Sequence, residues 1–253
     1  MVDTHCHLTD PRIFSQLDAV LQRAADAGVS RLVTIATHPE DWTAALTLAE
    51  KHEHIRVAIG VHPNNCDSVE LSDVDQLRTL QLHPRVVALG EMGLDYHYGL
   101  KFKDRQKLFL EKQLALAAEL SRPVVIHCRE AAADCLAMLA NFPTVQSVFH
   151  CFTGTADEAE QILAAGHLIG FTGVVTFRNA PELRAIAATM PADRILVETD
   201  APYLTPEPMR KQKINEPAMV VHTAAAVAQA RGLTLQQLDE LSTANALRFY
   251  RWK

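Results

Sequence analysis

The sequence lacks the features that mark exported, membrane-spanning or disulfide-stabilised proteins. It has no uninterrupted apolar run long enough to span a bilayer, and its N-terminus has no basic segment followed by an apolar one. Its five cysteines include no C-x-x-C pair, and an odd number does not fit a disulfide framework. We therefore expect a soluble, cytoplasmic protein with reduced thiols. The sequence indicates no membrane association and no obligate protein partner.

The chain also lacks an internal linker and an excess of positive charge. No Gly/Ser-rich or Pro-rich stretch divides it, so we expect one domain over residues 1–253. The formal net charge of -6 excludes a protein that coats nucleic acid by bulk electrostatics, although local basic patches remain compatible with it. The 48% hydrophobic content is that of a globular protein with a large core.

Short apolar runs alternate with segments of helical periodicity along the whole chain. The runs are continuous rather than alternating, which is typical of parallel strands buried on both faces. We predict an α/β fold, a single (β/α)8 TIM barrel; a doubly wound open sheet is the alternative, but it would usually place a Gly-rich phosphate loop after its first strand. The predicted strands are 2–7, 31–36, 56–61, 85–91, 123–127, 146–150, 167–171 and 194–198. The predicted helices are 15–27, 40–51, 69–82, 104–120, 131–141, 155–165, 181–188, one with Asn215 as its cap that ends near Gly232, and one that starts at Thr234.

Ionisable side chains cluster at the ends of the predicted strands. His5 and His7 lie two residues apart on the first strand and therefore share one face. In a barrel the C-terminal strand ends form one rim, so side chains from separate strands meet there. Each residue taken singly has a structural explanation, but their convergence is costly unless the charges are paired or bind a cation. The other candidates are His62, Glu91, His127, His150 and Asp200.

The candidate ligands are imidazole nitrogens and carboxylate oxygens, without a thiolate. This set of ligands suits zinc, manganese or a mixed pair of ions. The number of candidates exceeds the three or so ligands that one catalytic ion needs, so we expect two ions bridged by Glu91. Such a site activates water for hydrolysis, with Asp200 as ligand and proton acceptor and Glu198 on the same face. Cys6, Cys128 and Cys151, each directly after a histidine, should point away into apolar packing.

Seven short motifs occur in the order found in a known family, and together they resemble the TatD family of metal-dependent deoxyribonucleases in the amidohydrolase superfamily. Asn245 matches the family's closing Asn motif, whereas Lys211 departs from it, because the family usually has Gly after Arg210. The motifs are Asp3-Thr-His-Cys-His7, Gly60-Val-His-Pro63, Gly90-Glu-Met-Gly-Leu-Asp95, His127-Cys-Arg129, His150-Cys-Phe-Thr-Gly154, Glu198-Thr-Asp-Ala-Pro-Tyr203 and Asn215-Glu-Pro217.

The resemblance implies a TIM-barrel hydrolase that cleaves DNA phosphodiester bonds by metal-activated water, as a 3′–5′ exonuclease on single strands or 3′ ends. It implies two divalent cations, Mg²⁺, Mn²⁺ or Zn²⁺. His62 would contact substrate or leaving group and, with Glu91 and Asp200, form the catalytic set. Arg210 would bind phosphate. The implied metal ligands are His5, His7, Glu91, His127, His150 and Asp200.

Basic and aromatic residues near the barrel mouth are candidates for nucleic-acid contacts. Tyr203 is one candidate for base stacking, as on the aromatic platforms of single-strand binding proteins. The alternative functions are an ester or amide hydrolase, such as a D-aminoacyl-tRNA deacylase, and a non-catalytic binding module. The remaining candidates are the cations Lys101, Lys103, Arg105, Lys107, Arg210, Lys211 and Lys213 and the aromatics Tyr96, Tyr98 and Phe102.

Overall fold

The computed structural model describes residues 1–252, in which eight parallel strands form one sheet in sequence order. The last strand returns to the first, and the seam is a single bridge between Cys6 and Ala201. The predicted (β/α)8 barrel is therefore confirmed, as a nearly closed one. The strands are β1 (Val2–Cys6), β2 (Arg31–Ala36), β3 (Ile55–Ile59), β4 (Val86–Asp95), β5 (Val124–Arg129), β6 (Ser147–Phe149), β7 (Leu168–Phe171) and β8 (Ile195–Val197).

Helices follow the strands on the outside of the barrel. α7 and α10 begin at the predicted capping boxes, where Thr155 and Thr234 accept hydrogen bonds from the third helical N–H. The helices in the described range are α1 (Pro11–Phe14), α2 (Leu17–Asp26), α3 (Pro39–Lys51), α4 (Leu77–Leu80), α5 (Lys103–Leu120), α6 (Ala132–Ala140), α7 (Ala156–Ala164), α8 (Pro181–Thr189), α9 (Val220–Arg231) and α10 (Leu235–Phe249). In residues 1–252 none of them has both the length and the apolar character needed to cross a bilayer.

Two helix predictions were wrong. The helix expected over 69–82 is a 3-10 segment, Leu71–Gln76, followed by the single turn of α4. The Asp73 side chain accepts a hydrogen bond from the Glu70 N–H, which caps the N-terminus of the 3-10 segment. Asn215 does not cap a helix. Its amide donates instead to the carbonyls of Thr199, at 2.9 Å, and Tyr203, at 2.6 Å.

The C-terminal segment closes the end of the barrel where the strands begin. Phe249, Tyr250 and Trp252 pack with side chains from inside the sheet, and the Tyr250 hydroxyl donates to the Thr4 carbonyl at 3.1 Å. Arg56, near the start of β3, stacks on the Trp252 ring at 4.7 Å. The open end of the barrel is therefore the one at which the strands terminate.

His167, at the start of β7, gives the fold a predictable acid sensitivity. Burial, with a smaller contribution from Arg194, lowers its pKa from 6.5 to about 4. Below pH 6.5 the unfolded chain therefore binds a proton that the folded chain does not, so we expect stability to fall by about 1.4 kcal/mol per pH unit down to about pH 4. Urea unfolding of wild type and His167→Leu between pH 4 and 8 measures this. Parallel pH profiles for the two proteins would contradict it.

Candidate metal centre and active site

The C-terminal ends of the strands surround a cavity of about 890 Å³, which we call the main cavity. His5 lies buried against this cavity, and its ring stacks on that of His150 with centroids 3.7 Å apart. The structure thus brings together the ligand candidates that are spread over almost two hundred positions of sequence. The main cavity is lined by the other candidates, His7, His62, Glu91, His127, His150 and Asp200.

Glu91 is the carboxylate at which the imidazoles meet. Its Oε2 lies 3.3 Å from His5 Nε2. Its Oε1 lies 3.3 Å from His62 Nε2, 2.9 Å from His127 Nδ1 and 3.0 Å from His150 Nε2. Burial would raise the pKa of Glu91, but the surrounding imidazoles, those of His150 and His62 first, outweigh it and hold the pKa well below its usual value. Glu91 is therefore ionised, with a nitrogen donor on each side.

His127 lies between two carboxylates because β4 continues past Glu91 to Asp95. Gly93 allows this path, because it has φ +148° and a Cβ there would collide with the His127 carbonyl oxygen. The buried Asp95 places its Oδ2 3.1 Å from His127 Nε2. Burial favours the neutral ring, yet Asp95 and Glu91 raise the pKa of His127 to about 9. This position favours positive charge, whether a proton or a metal cation carries it.

Hydrogen bonds fix which nitrogen of His62 and of His150 faces Glu91. His62 Nδ1 accepts from the Asn64 N–H at 3.0 Å, so Nε2 of the neutral ring carries the proton and can donate it. His150 Nδ1 lies 3.2 Å from Glu198 Oε1, and donation to that carboxylate leaves the Nε2 lone pair facing Glu91. His150 is thus oriented as a ligand and His62 as a donor. Glu198 orients His150 rather than sharing the position of Asp200.

Asp200 joins His5 and His7 on the other side of Glu91. Its Oδ1 lies 3.3 Å from His7 Nε2 and 3.7 Å from His5 Nε2. The segment after β8 is fixed to β1, because the Asp3 carboxylate accepts bonds from Thr199 N and Oγ1 at 2.9 and 2.6 Å, and Asp200 N donates to the His5 carbonyl at 2.9 Å. Asp200 therefore follows β8 directly but lies beside β1.

The donor set fits a divalent cation. Both ring nitrogens of His5 are buried and lack a hydrogen-bond partner within residues 1–252. An unpartnered buried imidazole is costly unless its lone pair binds something. Three groups of residues, two of which share His5, each place their ligand atoms within 4.8 Å of one another: His5, His7 and Asp200; His5, His150 and Glu198; and His62, Glu91 and His127. These nitrogen and carboxylate donors are the ones expected for zinc or manganese.

The prediction of apolar packing for the three cysteines was correct for Cys6 and for Cys128, which packs against the same core although it also lines the main cavity. Cys6 is fully buried in the core behind β1. Cys128 and Cys151 are half-buried and line the main cavity. β6 ends at Phe149, and Cys151 has a φ of +46°, so the alternation of a strand no longer sets its direction.

Four of the basic residues proposed for phosphate contact have structural partners instead. The ammonium groups of Lys103 and Lys107 lie 3.1 and 2.9 Å from the Asp134 carboxylate. The guanidinium of Arg105 donates to backbone carbonyls, and that of Arg210 stacks 3.8 Å from the Phe177 ring. The main cavity is not lined by Arg210 or by the other candidates, Lys101, Lys103, Arg105, Lys107, Lys211 and Lys213.

Two of the four aromatic candidates line the main cavity. The side chains of Tyr98 and Tyr203 are 75% and 47% exposed at its mouth. The rings of Tyr96 and Phe102 pack against the core instead, and the Tyr96 hydroxyl donates to Asp134 at 2.7 Å. Stacking on a substrate therefore remains a prediction for Tyr98 and Tyr203 alone.

The sequence model of the family described as TatD related DNase matches residues 2–251. The chain belongs to this family. It is 36% identical over 253 residues to the uncharacterized metal-dependent hydrolase YabD of Bacillus subtilis (strain 168), covering 99% of both chains. It is 39% identical over 258 residues to the 3'-5' ssDNA/RNA exonuclease TatD of Pantoea vagans (strain C9-1), again covering 99% of both. The crystal structure of YjjV, a TatD homologue of Escherichia coli K12, superposes with a TM-score of 0.94 at 29% identity, covering 100% of this chain and 98% of that one.

Membership of the TatD family confirms the resemblance drawn from the motifs. With the barrel, it confirms the predicted class of enzyme, a metal-dependent hydrolase acting on ester bonds, and it supports a divalent metal cofactor. Sequence reasoning missed Asp95 as a partner of His127, although the i, i+2, i+4 alternation of a strand longer than predicted places it on the face of Glu91. It also gave no role to Arg129. That residue lines the main cavity at the end of β5.

Proposed function

We propose that this TatD-family protein hydrolyses phosphodiester bonds at the 3′ ends of single-stranded DNA, with two divalent cations that Glu91 and the surrounding side chains would hold. The observation that carries the proposal is the division of donors about this one buried carboxylate. His5 lies at one of its oxygens, and His127 and His150 lie at the other. A carboxylate that bridges two ions is the usual arrangement in two-metal hydrolase sites.

We assign the ligand role to the six residues inferred from the family motifs and a donor role to His62. Bound divalent cations would lower the pKa of a water molecule and neutralise charge on the phosphate. The proposed ligands are His5, His7, Glu91, His127, His150 and Asp200.

Asp200 and His62 then act on the water molecule and on the leaving oxygen. The oxygen of a water molecule forms a bond to phosphorus, and its proton passes to the Asp200 carboxylate. The bond from phosphorus to the leaving oxygen breaks, and that oxygen takes up the proton that Asp200 received from the water. His62, a neutral ring whose Nδ1 accepts from the Asn64 N–H, donates a hydrogen bond from Nε2 to the leaving oxygen without giving up its proton. The products are a phosphate monoester and an alcohol, so no further reactant is required.

The mouth of the main cavity suits unpaired bases. A guanidinium backs each of its two exposed tyrosines: Arg129 lies 5.4 Å from the Tyr98 ring centroid, and Arg12 lies 4.6 Å from that of Tyr203. Aromatic faces of this kind stack on the bases of single strands without sequence preference. The relative from Pantoea vagans is named a single-strand DNA/RNA exonuclease, which supports the same class of substrate. We place the activity in the cytoplasm, with which five free thiols are compatible.

Arg129 should bind the substrate phosphate. Within residues 1–252 it is the only Lys or Arg that lines the main cavity, and no carboxylate oxygen lies within ion-pair distance of its guanidinium. Removal of a charge-assisted hydrogen bond to phosphate should lower kcat/KM by about 10- to 100-fold, so we expect that loss for Arg129→Met. The matched variant Arg210→Met should change kcat/KM less than about twofold, because Arg210 stacks on Phe177 outside the cavity. Steady-state kinetics on a labelled oligonucleotide measures both, and equal losses would contradict the assignment.

The direct test compares substrates with and without metal. Purified protein is incubated with 3′- and 5′-labelled single-stranded DNA, duplex DNA, RNA and a D-aminoacyl-tRNA, after chelation and after return of Mg²⁺, Mn²⁺ or Zn²⁺. We expect stepwise shortening from the 3′ end of single strands, abolished by chelator, and two ions per chain by elemental analysis. Metal-dependent loss of the tRNA ester alone would overturn the nuclease assignment in favour of the deacylase.

A further inference from the structure

A second cavity of about 290 Å³ adjoins the main cavity between the ends of β5 and β6, and we call it the side pocket. The two cavities share lining residues, among them Cys128, Arg129, His150 and Thr153. Because His150 contacts Glu91, the side pocket opens next to the proposed metal centre rather than on a remote surface. Whatever fills it lies beside the reacting bond.

The lining of the side pocket is that of a small-molecule site. Phe149, Phe152 and Ile162 form an apolar wall, Thr153 and Thr155 add hydroxyl groups, and Glu130 and Glu158 add carboxylates. Its volume lies near the lower limit of about 300–1,000 Å³ for ligand pockets, and an apolar wall with a few polar groups is the usual composition of such pockets. It therefore has room for one small planar group and its sugar, but not for a length of strand.

We propose that the side pocket binds the terminal nucleoside of the strand being degraded, an inference that rests on the proposed nuclease function. Arg129 lines both cavities and is the only Lys or Arg that lines either one within residues 1–252. A nucleotide whose base packs against Phe152 therefore has its phosphate between Arg129 and the imidazole of His150. Terminal cleavage follows from this placement, because a pocket with room for one nucleoside accepts the end of a strand and not its interior.

Gly154 provides a way to change the side pocket without replacing a residue of the proposed metal centre. A Cβ at this position would collide with the Glu158 carboxylate and lie 2.9 Å from the Phe152 ring, so Gly154→Ala must displace the wall. The control is Gly166→Ala, the same substitution after the opposite end of α7, where an added Cβ meets nothing within 4 Å but the φ of +88° strains the backbone, so that it measures the effect of strain without a change in the side pocket. Phe152→Leu is a second variant that keeps the wall apolar but removes its aromatic face. Thermal unfolding of all three shows whether each remains folded.

The experiment measures binding first, so that it does not depend on turnover. Calorimetric titration compares deoxyadenosine 5′-monophosphate with 2-deoxyribose 5-phosphate, which lacks the base. We expect wild type and Gly166→Ala to bind the nucleotide about tenfold more tightly than the sugar phosphate, the scale of one base stacked on an aromatic ring. Gly154→Ala and Phe152→Leu should lose most of that preference while still binding the sugar phosphate.

Hydrolysis separates this inference from the proposed function. Oligonucleotides with a normal or an abasic 3′-terminal residue should be cleaved at unequal rates by wild type and at nearly equal rates by Gly154→Ala. If wild type degrades DNA with metal but shows no preference for the base in binding or in cleavage, the side pocket assignment is wrong and the nuclease function stands. If wild type binds the nucleotide selectively but cleaves neither strand, the nuclease function is wrong, and the assignment of the pocket to a terminal nucleoside of degraded DNA is overturned with it, leaving a nucleotide-binding pocket.

Discussion

Glu91→Gln is expected to reduce hydrolysis by at least about 100-fold and to lower the amount of divalent metal that the protein retains. The carboxylate supplies the one negative charge that faces both donor groups, with His5 Nε2 at 3.3 Å from one oxygen and His150 Nε2 at 3.0 Å from the other. Glutamine keeps the shape but removes the charge, and its amide nitrogen cannot act as a carboxylate ligand. Kinetics on a labelled oligonucleotide and elemental analysis after gel filtration measure the two effects.

Stability gives an independent readout of the same change. Wild-type Glu91 is surrounded by imidazoles in a buried site, so removal of its charge leaves those groups without compensation. Added metal should therefore raise the Tm of wild type more than that of Glu91→Gln. Glu119→Gln is the matched control, because Glu119 is exposed and pairs with Arg78 on the outside of the barrel. A Glu91→Gln protein with full metal content and near-normal turnover would contradict the bridging role.

The fold was predictable because its strands are buried on both faces. Val124, Val125 and Ile126 of β5 are fully buried, so polar residues interrupt the run only at its end, where His127 faces the cavity. The other ionisable residues of the rim were located in the same way, as polar residues at the end of a buried apolar strand. A long sequence separation did not hinder this step, because in a barrel every strand ends on the same rim.

Contacts between residues of different helices and strands were not predictable from the sequence. Lys103 and Lys107 of α5 have the composition of a phosphate-binding patch, but Asp134 on α6 neutralises both of them. Which helices lie next to each other cannot be read from the sequence. The predicted strand β4 stopped at Glu91, whereas in the structure it continues to Asp95 because Gly93 fits against the His127 carbonyl. That close approach is a tertiary contact. Local pattern therefore failed to identify the second carboxylate beside His127.

Asp200→Asn is expected to lower kcat by about 100- to 10,000-fold, the usual contribution of a general acid or base, while the protein stays folded. Asp200 has a φ of +56°, a conformation that Asn adopts about as readily as Asp, so the substitution adds little backbone strain. Burial would raise the pKa of Asp200, but the hydrogen bond with His7 and the charges of the imidazoles hold it below 3.8. At neutral pH the wild-type side chain is therefore a carboxylate that can accept a proton, whereas an amide cannot.

The design of this test must separate proton transfer from ligand loss, because Asp200 is assigned both roles. Elemental analysis of the same Asp200→Asn sample decides between them: retained metal with lost turnover assigns the loss to proton transfer, whereas loss of both assigns it to the ligand. Asp75→Asn is the control, since Asp75 is exposed and pairs with Lys112 far from the main cavity. Full metal occupancy with near-normal turnover in Asp200→Asn would leave no proton acceptor among the assigned groups, and the role would then fall to another carboxylate of the site, with Asp95 the first to test because its Oδ2 already lies against His127.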